Sequence, residues 1–133
     1  MVKKMSNAEI IARVNGISAM QARDREEKNT VIGRRIKVLY AITKNKQTMI
    51  DLLNPYNEAL ARLNEECGAS IDEKDGSIKI PAENQGKWVV SVKELQSIVV
   101  EVPIFQIPID ELEGSNLTLD EFETIGFIVA DPE

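Results

Sequence analysis

Histidine is missing from the 133 residues altogether, and cysteine occurs once. Without histidine the chain cannot assemble a Ser-His or Cys-His nucleophile pair, an imidazole general base or an imidazole zinc ligand. A lone thiol, Cys67, closes no internal disulfide and fits a reducing compartment. Its expected role is that of a small buried apolar residue on a helix. Aromatic residues make up only 5%, so the core must come from Leu, Ile, Val, Ala and Met, a palette suited to helix-on-helix packing. Phosphate-cradling glycine loops of the GxGxxG or Walker type are lacking. No apolar run approaches the roughly 20 residues that span a bilayer. The opening Met1-Val2-Lys3-Lys4-Met5 carries charge with no apolar run behind it, so no signal peptide is expected. Together these absences lead to the expectation of a non-enzymatic cytoplasmic protein with no catalytic residues, no metal, no cofactor and no membrane partner.

What is present is a normal globular share of hydrophobic residues, 43%, enough for the core of a single domain over residues 1–133. The charge is divided unevenly. Residues 1–46 hold eleven Lys/Arg against four Asp/Glu, a balance of +7, and residues 47–133 hold five against eighteen, a balance of −13. A basic half and an acidic half are thus expected in one chain.

Ser6, with Glu9 three residues later, reads as a capping box that opens a helix, with Ile10, Val14, Ile17 and Gln21 along one face. Gly16 weakens that helix by about 1 kcal/mol relative to alanine, and Gln21–Lys28 reads as its solvated end or a linker. Asn29-Thr30 offers a second N-cap, followed by a periodic run through Ile32, Ile36, Leu39, Ile42 and Met49. From Leu53 the run continues through Tyr56, Leu60, Leu63 and Cys67 at alternating spacings of three and four, the seam of a coiled coil or bundle. Pro55 predicts a kink or a short break, with Asn54-Pro55 also able to start a new helix. Gly68 is a plausible cap at the end.

Asp75-Gly76, between Ile71–Lys74 and Ser77–Ile80, is a two-residue hairpin signal. The acids Asp72, Glu73 and Asp75 do not form a calcium loop, because Lys74 stands where a ligand belongs. Residues 88–97 fit a helix face or a strand equally well. Ile98–Phe105 is rich in β-branched residues, and with Pro103 and Pro108 it belongs at a sheet edge. Thr118 and Glu121 form another capping box, opening a short helix with Leu119, Phe122 and Ile125 inward. Phe127–Val129 either ends that helix or forms a strand. The expected fold is α+β and predominantly α. A long antiparallel helical hairpin, coiled-coil-like and kinked at Pro55, occupies 6–69. A β-hairpin, an edge strand and a small C-terminal helix make up an acidic tail over 70–133.

Two surfaces are candidates for binding. Arg23, Arg25, Lys28, Arg34, Arg35 and Lys37 bracket the turn between the first two helices and would suit a phosphate or an acidic partner. General nucleic-acid binding is disfavoured by the net charge of −6 and by the scarcity of aromatics for base stacking. Leu53, Tyr56, Leu60 and Leu63 form a candidate seam for self-association as a dimer or higher oligomer, since a two-helix unit cannot bury both its faces alone.

The order of segments is also familiar. Leu39-Tyr40-Ala41-Ile42-Thr43-Lys44-Asn45 is followed by Leu53-Asn54-Pro55-Tyr56-Asn57-Glu58-Ala59 and the Asp75-Gly76 turn. A Val-Glu-Val-Pro-Ile segment and a Leu-Thr-Leu-Asp-Glu-Phe close come next. Over residues 30–130 this resembles a family of small uncharacterised proteins encoded by phages and prophages of Gram-positive bacteria. The resemblance implies action in a bacterial cytoplasm and carries no catalytic residues. Stoichiometric binding to a host protein or complex, such as a bacterial defence system, is the leading expectation. A virion or assembly role and sequestration of a nucleotide signal by the basic patch are the alternatives.

Overall fold

A computed structural model describes residues 1–33 and 35–130. The fold is α+β and mostly helical. Ser6 starts the first helix, α1 (Asn7–Glu26): its hydroxyl accepts from the Glu9 backbone N–H at 3.1 Å. Ile10, Ile17 and Met20 are buried along one face, and Val14 is half-buried between them.

Asp24 stops the chain after α1. Its buried carboxylate accepts from the backbone N–H groups of Val31 and Ile32, at 3.1 and 2.9 Å. Lys28 and Asn29 take left-handed backbone conformations, with φ of 56° and 65°. Val31 and Ile32 are therefore buried as loop residues, and the Asn29-Thr30 cap expected from sequence is not used. The second helix, α2, spans Ile36–Leu52. Its buried face is Val38, Ala41, Ile42, Asn45 and Met49, so the expected face is rotated and Ile36 is 77% exposed.

Helix α2 ends at Leu52 and α3 runs over Asn54–Glu66 with Pro55 in its first turn, where a missing N–H costs nothing. At its far end Gly68 has φ of 69°, and Gly68 and Ala69 donate to the carbonyls of Glu65 and Asn64, a Schellman closure. Cys67, just before it, is buried.

The expected two-residue hairpin is wider than its signal. Strands β2 (Ser70–Ile71) and β3 (Ile78–Lys79) pair Ile71 with Ile78. The Asp72 and Asp75 carboxylates fold inward onto the Lys74 and Ser77 N–H groups, stretching the turn over 72–77. The ambiguous stretch is helical: α4 spans Gln85–Ser97 and packs on α3, with Trp88 Nε1 donating to Asn64 Oδ1 at 2.7 Å.

The extended segment after α4 is β4 (Val99–Pro103), and its antiparallel partner is β1 (Val2–Ser6) at the other end of the chain. Met5 and Val102 face the core, while Lys4 and Glu101 pair across the outer face. The Thr118–Glu121 capping box forms as read and opens α5 (Leu119–Ile125). Of the three inward residues expected there, only Ile125 is buried, while Leu119 is 74% exposed. Gly126–Ile128 forms a 3-10 turn, which buries Phe127 and Ile128, and Val129 bridges to Ile107. One core cluster draws on Met5, Ile17, Met49, Val102 and Ile128, so it joins the basic and acidic halves. No helix among the described residues is long and apolar enough to cross a membrane.

Candidate functional site

The six basic residues singled out in the sequence have separate fates. Arg23 is bound to the tail: Nε donates to Glu121 Oε2 at 2.8 Å, and Nη2 donates to Glu121 Oε1 and the Asn116 carbonyl. The guanidinium holds the Glu121 carboxyl down at about 2, aided by the Thr118 N–H, and Glu121 in turn raises Arg23 above its usual range. Arg35 lies against the 3-10 turn Ile109–Leu112, donating to the Asp110 carbonyl at 3.0 Å near Glu111 and Glu113. Arg25, Lys28 and Lys37 are exposed, and Arg34 lies outside the described residues. Arg23 and Arg35 thus pair basic-half charge with acids of the tail.

The expected self-association seam is also spent internally. Leu53, Tyr56 and Leu63 are each 7% exposed in the single chain and Leu60 is half-buried, under cover that includes α4. The apolar surplus that a bare two-helix unit would leave open is therefore largely covered by the rest of this chain.

Among several open grooves in the described residues, one of about 390 Å³ lies between α2 and the end of β4. Its α2 wall is Lys44, Asn45 and Thr48, its other wall Pro103, Ile104 and Phe105, and Met1 and Val2 close one end. Asn45 builds it. This residue is 1% exposed on the inner side of α2, and its amide pairs with both backbone groups of Phe105, accepting from N–H at 2.9 Å and donating to the carbonyl at 2.8 Å. The amide also donates to the Ala41 carbonyl at 2.7 Å. It thus acts as one residue of a neighbouring strand and fixes the path of the chain after β4.

Phe105, so held, meets Tyr40 edge to face with ring centroids 5.1 Å apart. Both rings remain open to solvent, at 43% and 53% exposure. On the outer side of α2, Ile36 lies one turn before Tyr40 and Lys44 one turn after it. Helix α2 has no acid before Asp51, and the Asp51 carboxylate accepts from Gln47 at 2.8 Å. Exposed aromatic rings on a fixed backbone, flanked by lysines, are the composition of a recognition surface.

The chain matches no family model, no curated protein and no solved structure. The groove must therefore be interpreted from its own chemistry. Tyr40, Lys44 and Phe105 were not singled out from sequence as site residues. Tyr40 and Lys44 were visible beside the basic cluster, but the seam drawn through Ile36 and Leu39 hid the outward face of α2. Phe105 gave no local sign that Asn45, far away in sequence, would hold it.

Among the described residues no group of three or more Asp, Glu or Cys is placed to hold a metal ion. The acids of the hairpin are engaged locally: Lys79 lies 2.8 Å from Asp72 and is the main cause of the lowered Asp72 pKa, while the Ser77 N–H lowers that of Asp75.

Proposed function

We propose that this protein is a non-enzymatic accessory protein that binds a host protein stoichiometrically, through the groove between α2 and the end of β4. The observation that carries the reading is the exposed Tyr40–Phe105 pair held on a fixed backbone by Asn45. Large aromatic side chains of this kind concentrate binding energy when a partner covers them. The resemblance to phage and prophage proteins makes a bacterial host protein the partner class, with a defence complex as the target whose blockade would suit such a protein. We further read residues 6–69 as a long antiparallel helical hairpin, with α1 as one arm and α2–α3, kinked at Pro55, as the other. Paired spin labels on the two arms would report that arrangement in solution.

The functional test is a photo-crosslinking amino acid at position 40 in a Gram-positive host lysate. The expected result is one adduct that reassembles from purified components at fixed stoichiometry and disappears with Phe105→Ala. A folded protein that yields no such complex would overturn the reading.

A further inference from the structure

We propose that the outer face of α2 from Lys37 to Lys44, which meets the groove at its Lys44 and Phe105 end, takes an extended acidic segment of the partner, with two carboxylates about three residues apart around a large apolar side chain. This rests on the protein-binding reading above and specifies the ligand. Lys37 and Lys44 lie seven positions apart on α2, nearly two full turns, so they share the face that carries Tyr40. At 1.5 Å per residue their attachment points are about 10 Å apart along the helix. An extended peptide rises about 3.3 Å per residue and covers that distance in about three residues. Among the described residues neither lysine makes an ion pair, whereas Arg23 and Arg35 are committed to the tail. No acid lines the groove.

Between the two lysines stands the Tyr40–Phe105 pair, an apolar step against which one side chain of the ligand packs. The geometry favours a peptide over nucleic acid. Two cations are too few for strong backbone neutralisation, and the groove walls are aliphatic as well as aromatic.

The test is fluorescence anisotropy with a labelled Gly-Asp-Leu-Phe-Glu-Gly peptide, in which the acids stand three residues apart. Comparison probes have lysines in place of the acids, alanines in place of leucine and phenylalanine, or are a labelled oligothymidylate. The acidic apolar probe is expected to bind saturably and both altered peptides about tenfold more weakly, the scale of losing one strong contact. Lys44→Glu and Phe105→Ala are each expected to weaken the acidic probe about tenfold, and Lys79→Glu on the hairpin to leave it unchanged. The affected side chains are exposed, so circular dichroism should show an intact fold. Tyr40→Ala provides a second aromatic variant should Phe105→Ala lose structure. Equal binding of the lysine probe, tighter binding of the oligothymidylate, insensitivity to Lys44→Glu, or no binding by the native chain would each overturn the proposal. A host complex that forms through position 40 but is not displaced by the acidic probe would leave the protein-binding reading standing and remove this one.

Discussion

Two of the places where the acidic tail returns to the helices are fastened differently. After β4 it meets α2, where a buried neutral amide, Asn45, takes both backbone groups of Phe105. At α5 it meets α1, where two arginines hold it from the surface. Arg23 grips Glu121 near the start of α5, and Arg13 donates to the carbonyls of Glu123 and Thr124 at its end, at 2.7 and 3.0 Å. The second arrangement suits the helix, since a cation belongs at the carbonyl end and a carboxylate at the amide end. The amide fastening is indifferent to salt and pH. The arginine fastening is sensitive to both. The difference shows that charge in this molecule does two jobs: arginines close the fold, while Lys37 and Lys44 are left facing outward.

The contrast can be broken most severely at Asn45. Asn45→Ala removes three hydrogen bonds and is expected to cost about 2–3 kcal/mol in urea unfolding. The loss should be the same at low and high salt; a strong salt dependence would contradict the neutral-amide account. Next is Gly16, where α5 crosses α1 so closely that an added Cβ would lie 2.6 Å from Thr124 Cγ2. Alanine would gain about 1 kcal/mol of helix propensity, but the overlap is expected to leave Gly16→Ala about 1 kcal/mol less stable overall. Adding Thr124→Ser, which removes the offending methyl, should recover most of that loss. If Gly16→Ala alone proves stabilising, α5 lies farther from α1 than described.

A smaller and more diagnostic effect concerns pH. The Glu121 carboxyl is lowered from 4.5 to about 2, chiefly by its hydrogen bond with Arg23. For a depressed acid the stabilisation is fully present above the unfolded value and is lost as pH falls from 4.5 through about 2. Unfolding midpoints over that range should drop for the native chain, and Glu121→Gln should remove this contribution. An unchanged pH slope in the variant would show that Glu121 is not held as described. Smallest of all is Ile36→Ser, expected within about 0.5 kcal/mol of the native chain because Ile36 is 77% exposed.

Features that depend on near neighbours were legible in the sequence. Ser6 with Glu9, Thr118 with Glu121, and Gly68 at the end of α3 act over a few residues and stand where their spacing puts them. Ile36 was misplaced because apolar periodicity does not mark where a helix starts. Here the start is delayed by Asp24, which captures Val31 and Ile32 from outside the run. Strand β1 was hidden because Val-Lys-Lys-Met-Ser is short and charged and its partner β4 lies at the far side of the chain. The groove was hidden for the same reason. Asn45 reads as an unremarkable polar residue in a helix until Phe105 is brought to it.

The pairing of β1 with β4 also bears on how the molecule is made. Met5 leaves the ribosome well before its partner Val100 and the core residue Ile128. At about 5–20 residues per second, the first strand waits seconds to tens of seconds for its mate. During that interval α1 and α2 expose the apolar faces that the tail will cover. A nascent chain stalled before residue 99 should therefore be digested readily by protease, and one that extends past Ile128 and is clear of the ribosome should resist it.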